Sequence, residues 1–118
     1  MKALVIPTEG DITVGDMPVN GAEGLEWLKE QVGGWIEGVG FDSRAHGYVN
    51  EEGKLEGLPP NFRATALLRA AGTIMPDDII AGTLVLCGAV DRDGGDTALP
   101  DDVIEDVTLG LANWKPVG

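Results

Sequence analysis

The apolar residues of this chain change period along its length, and each change falls at a glycine or a proline. Residues 2–6, Lys-Ala-Leu-Val-Ile, are apolar on both faces of an extended chain, which predicts a central strand ended by Pro7. Thr8-Glu9-Gly10-Asp11 has turn chemistry, so Ile12–Val14 can pair back as a short second strand. Over 22–32 the spacing becomes helical. Leu25, Leu28 and Val32 share one face, Glu26, Lys29 and Glu30 turn to water, and Trp27 beside the stripe is expected half exposed. Gly33-Gly34 closes that helix, because glycine accepts the left-handed backbone of a C-terminal cap. Trp35–Val39 then reads as a strand with Trp35 in the core, and Ala45–Val49 as its neighbour or hairpin partner.

Glu51-Glu52-Gly53-Lys54 is a tight turn, and Leu58-Pro59-Pro60 cannot continue a sheet interior, since proline has no N–H to donate. Asn61 is a good N-cap for a helix over 62–71, with Phe62, Ala66 and Leu67 or Leu68 facing inward and Gly72 stopping it. Residues 79–90 are long for one strand, and Gly82 or Gly88 is expected to mark a bulge or bend. Pro100 opens a last helix whose apolar face is Val103, Val107 and Leu111, with Asp102 and Glu105 loosely at capping-box spacing. Trp114 is expected to fasten the tail to the body. The order β-β-α-β-β-α-β-α predicts an α+β fold. Its sheet is mixed or antiparallel, of about four to five strands, with two to three helices packed on it.

At 118 residues, without a repeat or a separating linker, residues 1–118 read as a single globular domain. Twenty acids oppose eight bases, a net charge of −12, and after Asp77 only Arg92 and Lys115 offset the carboxylates. Gripping a phosphate backbone needs clustered Lys and Arg, so direct nucleic-acid binding is not expected. No apolar run approaches the roughly 18 residues of a membrane span, and the N-terminus lacks a signal-peptide pattern. A cytoplasmic protein with no membrane contact is the natural reading. Cys87 is the one cysteine, which excludes an internal disulfide and a cysteine-based zinc site.

Candidate chemistry is sparse. His46 and Cys87 are the only base and thiol that could form a nucleophilic pair. Cys87 sits in an apolar run and reads as a small buried hydrophobe, while His46 near a turn reads as an exposed polar residue. No catalytic residue is therefore expected. Asp91-x-Asp93-x-x-Asp96 resembles calcium-loop spacing but lacks the glutamate at the twelfth position, so no metal and no cofactor are expected. The best candidates for binding an anionic ligand are Asn50, Asn61, Arg63 and Thr65, with Arg63 and Thr65 in the first turn of a helix whose amides are free. In so acidic a chain, the competing expectation is that Arg63 pairs with one of the protein's own carboxylates.

Lys2–Pro7, Leu28–Val32 with Gly33-Gly34-Trp35-Ile36-Glu37, and the block Asn50-Glu51-Glu52-Gly53-Lys54-Leu55-Glu56-Gly57-Leu58-Pro59-Pro60-Asn61 with Ala64-Thr65 occur in this order. Together with Ile79–Gly88 they resemble a small domain-of-unknown-function family of actinobacteria, their phages and other mobile elements. The resemblance covers about residues 2–90 and implies a context rather than a reaction: an accessory protein working on other proteins in a bacterial cytoplasm. The expected function is accordingly a non-catalytic binder of a host or element-encoded protein, with a basic host protein as the fitting partner. Two alternatives belong to other classes. One is a binder of, or enzyme on, an anionic small molecule such as a nucleotide; the other is a homo-oligomeric structural module.

Overall fold

In the computed structural model, residues 1–112 are described, and the element order is the one expected. The strands are β1 (Lys2–Ile6), β2 (Thr13–Asp16), β3 (Ile36–Asp42), β4 (Ala45–Asn50) and β5 (Leu84–Gly88). The helices are α1 (Gly21–Val32), α2 (Phe62–Ala71) and α3 (Asp101–Ala112). The five strands form one sheet in the order β2-β1-β5-β4-β3, every pairing antiparallel, and the fold is α+β. Trp114 lies outside the described residues.

Both faces of the sheet are covered, which is why β1 and β5 carry near-continuous apolar runs. On one face Ala3, Val85 and Cys87 pack with Met17 and with Leu28 and Val32 of α1. On the other, Leu4, Ile6, Leu84, Leu86 and Val49 meet Ala64 and Leu68 of α2 and Val103 and Val107 of α3. The helices begin and end where local chemistry directs. The Asn20 side chain accepts from Ala22 N at 2.9 Å, and Gly33 at φ 79° closes α1. In α2, Asn61 is the N-cap and Gly72 at φ 73° the C-cap.

Three expectations are corrected. Trp35 is 63 % exposed rather than in the core, because it precedes β3 at the sheet's edge and lies under the Lys29 ammonium, 4.1 Å from the ring centroid. Phe62 is 53 % exposed, since the inward face of α2 is set by Ala64 and Leu68. The long strand over 79–90 shrinks to Leu84–Gly88: Gly82 turns at φ 83°, and the segment before it makes only the single Pro60–Ala81 bridge.

Candidate functional site

Three places could carry function, and the sequence-predicted residues divide among them. At the start of α2, Asn61 is fully buried and its amide donates to Ile6 O at 2.9 Å and Gly82 O at 3.0 Å. Its Oδ1 accepts from Ala64 N at 3.0 Å. Thr65 Oγ1 donates to Asn61 O at 2.7 Å and accepts from Ile80 N at 3.0 Å. The Arg63 guanidinium donates to Pro7 O and Gly10 O, both at 2.7 Å, so it holds the β1–β2 turn, and among the described residues it does not make the carboxylate pair expected. These three residues do converge. Their polar atoms, however, are spent on joining β1, α2 and the 80–82 segment, and an anion here would have to draw Arg63 off two carbonyls. Asn50 stands apart: its amide donates to Val32 O at 3.2 Å and its Oδ1 accepts from Glu52 N at 2.8 Å.

The second place is around Cys87 and His46, which face one another across β5 and β4 on the α1 side of the sheet. Burial, and secondarily the Asp96 charge, pushes the Cys87 thiol up to about 12. It donates weakly to Met17 Sδ at 4.0 Å. The thiol therefore stays protonated at neutral pH, in the small-hydrophobe role expected of it, and a thiolate is what nucleophilic attack needs. His46 is not the exposed residue expected. Its Nδ1 lies 2.8 Å from Gly88 O, and its Nε2 is 3.1 Å from Asp96 Oδ1, without hydrogen-bond alignment. Tyr48 stacks edge-on against the imidazole, centroids 4.9 Å apart, and donates its hydroxyl to the same Asp96 oxygen at 2.7 Å. The loop after β5 is thus latched over the sheet by Asp96. The signal was faint in the sequence, because Asp96 lies 48 positions from Tyr48 and only the β4–β5 register brings them together.

This cluster is expected to shape the alkaline limb of stability. Desolvation, with the hydrogen bond to Asp96 second, raises the Tyr48 phenol above its usual 10.0. Cys87 rises from 9.0. Both folded values exceed the unfolded ones, so their contribution is whole below about pH 9 and is lost as pH rises through the folded values. The melting temperature is expected to fall continuously from about pH 9 upward, less steeply in Tyr48→Phe. A melting temperature that stays level through that range would refute the account.

The Asp91 loop holds no cation-binding geometry of its own. Asp91 Oδ1 accepts from Asp93 N at 2.9 Å and Gly95 N at 2.8 Å, closing the turn on itself. Among the described residues no group of three His, Cys, Asp or Glu side chains is placed to hold a metal ion.

The third place is a cleft of about 640 Å³ between β3, the 51–55 turn and the 73–81 segment. The Asn50–Asn61 block builds it. Gly53 is buried so closely against the next segment that a Cβ there would come 2.8 Å from Ala81 O. Gly82 N donates to Pro59 O at 2.8 Å, and Asn61 N to Ile80 O at 2.7 Å. Gly53, Pro59 and Asn61 thereby strap the turn to the 80–82 segment. Glu51, Glu52, Lys54, Leu55 and Glu56 are left pointing outward. Val49 and Ile80 lie buried at the cleft floor, while Leu55 is 88 %, Met75 69 % and Ile79 41 % exposed around it. Four carboxylates line the cleft, Glu37, Glu51, Glu52 and Asp78, against the single ammonium of Lys54. Lys54 pairs with Asp78, and this hydrogen bond is the main reason the Asp78 carboxyl is held below its usual range. Among the described residues Glu37, Glu51 and Glu52 have no ion-pair partner.

Residues 1–111 match the family described as a Domain of unknown function (DUF3846). The chain belongs to the DUF3846 family. The match takes in the whole sheet, α1, α2, nearly all of α3 and every wall of the cleft. No curated protein and no solved structure matches the chain. No helix among the described residues is long and apolar enough to cross a membrane.

Proposed function

We propose that this DUF3846 member is a non-catalytic recognition module, a small accessory protein of a phage or mobile element that binds a host or element-encoded protein in an actinobacterial cytoplasm. The observation that carries the reading is the cleft beside β3, whose apolar lip is bare and whose carboxylates outnumber its one ammonium. Leu55, Met75 and Ile79 are too exposed to serve the core, and grouped apolar exposure of this kind suits a contact surface. Glu37, Glu51 and Glu52 give that surface a sign. With a net charge of −12 behind them, they favour a partner segment carrying Lys or Arg and disfavour nucleic acid.

Capture from host lysate on immobilised protein, across a salt series, tests this. A saturable protein partner is expected at low ionic strength and should weaken as the screening length shortens from about 30 Å at 0.01 M to about 8 Å at 0.15 M salt. The double variant Glu51→Lys/Glu52→Lys is expected to lose about tenfold or more in affinity. Both side chains are exposed, so the melting temperature should barely change. The reading fails if no saturable protein is captured at low salt, or if the double variant holds its partner undiminished.

A further inference from the structure

We infer that the partner's contact is an extended basic segment that adds to β3 as a sixth strand, an inference that rests on the recognition reading above. The sheet ends at β3, whose outer edge pairs with no other strand. Which backbone groups point outward follows from the pairing alternation of antiparallel strands. Glu51 N donates to Trp35 O at 2.9 Å, which marks 35 and 51 as a hydrogen-bonded pair. The registered pairs Glu37–Val49 and Val39–Gly47 then bond to β4 as well, leaving the N–H and C=O of Ile36, Gly38 and Gly40 directed away. The opposite edge of β4 agrees: Ala89 N donates to Arg44 O at 3.0 Å, so His46 and Tyr48 bond to β5, while Gly47 and Val49 bond to β3.

Nothing among the described residues bonds to the outward N–H and C=O groups of these three residues. Two of the three are glycines: a Cβ placed on Gly38 would meet no atom within 4 Å, and one on Gly40 would make ordinary contact with Thr73 at 3.5 Å. Natural edge strands are usually blunted by lysine, proline or a covering loop, and Gly38 does the reverse by baring the ladder at the middle of β3. The edge also opens on the acidic cleft, which Glu37, Gly38, Val39 and Gly40 line. A strand laid here would send alternate side chains toward Glu37, Glu51 and Glu52, so lysine or arginine at alternate positions is the complementary pattern. A second copy of this chain would bring another net −12 to the same edge, which argues for a basic segment of a different protein.

The probe is a synthetic octapeptide of alternating lysine and valine, added at low ionic strength to the isotope-labelled protein while amide exchange is followed by NMR. Exchange at Ile36, Gly38 and Gly40 is expected to slow about tenfold or more, with smaller changes elsewhere. The same peptide N-methylated at alternate residues should give no protection, and neither should a glutamate–valine octapeptide. Gly38→Pro removes one outward donor at an edge position that tolerates proline, and is expected to keep the fold while losing the protection. If the lysine peptide binds and shifts Leu55 and Met75 but leaves the three amides unprotected, strand addition is overturned while the recognition reading stands. Absence of peptide binding overturns strand addition as well, and the recognition reading is then judged by its own lysate capture. Protection that grows with protein concentration in the absence of peptide would assign the edge to a second copy and overturn the basic-segment occupant.

Discussion

Asn61→Ala is expected to destabilise the protein by about 3–5 kcal/mol, a large share of the roughly 5–15 kcal/mol that holds a domain of this size together. The side chain is fully buried and makes three bonds, to Ile6 O, Gly82 O and Ala64 N. Truncation strands two carbonyls and one amide away from water, each costing about 1–3 kcal/mol, with partial relaxation. Asn61→Asp separates the two roles of the residue. It keeps an acceptor for Ala64 N, and so the helix cap, but loses the donors to Ile6 and Gly82 and places a charge against their oxygens. Denaturant melts of both variants check this. An aspartate variant as stable as the native protein would show that the clamp between β1 and the 80–82 segment contributes nothing.

Gly88→Ala should cost about 2–3 kcal/mol and release the loop that follows β5. A Cβ at this position would lie 2.3 Å from Ala98 O and 2.4 Å from Thr97 Oγ1, and most of the obstruction is backbone. The loop must lift, and with it goes the 2.9 Å bond from Gly88 N to Thr97 O. Asp96 sits in the same loop and holds the Tyr48 hydroxyl. Tyr48 is the only tyrosine, so ultraviolet titration reads it alone. Its titration, raised in the native protein, is expected to move down toward 10.0 in Gly88→Ala. A variant with an unmoved phenol and an unmoved melt would mean that Gly88 is not needed for close approach.

The two variants mark where sequence reading succeeds and where it stops. Asn61 as an N-cap was legible because capping is local: an oxygen bonds an amide three residues ahead, and the pattern lies within one turn. The two carbonyls its amide holds were not, since Ile6 and Gly82 are 55 and 21 positions away. Arg63 was likewise placed correctly on the first turn of α2, but its partners proved to be the carbonyls of a distant turn, not carboxylates. His46 was misread for the same reason. Its environment is made by Asp96 on a loop that only the β4–β5 register delivers.

Alternation, the capping Asn61 and terminating glycines were enough to establish eight elements in order and the α+β class, because each depends on neighbours within a few residues. Sheet order, the pairing of β1 with β5 and the bare edge of β3 came only from the tertiary structure. So did the exposure of Trp35 and Phe62 and the gathering of four carboxylates around one cleft. The physical reason is one of range: local rules act through a single turn or hairpin, whereas burial and charge neighbourhoods are properties of surfaces formed when remote segments meet.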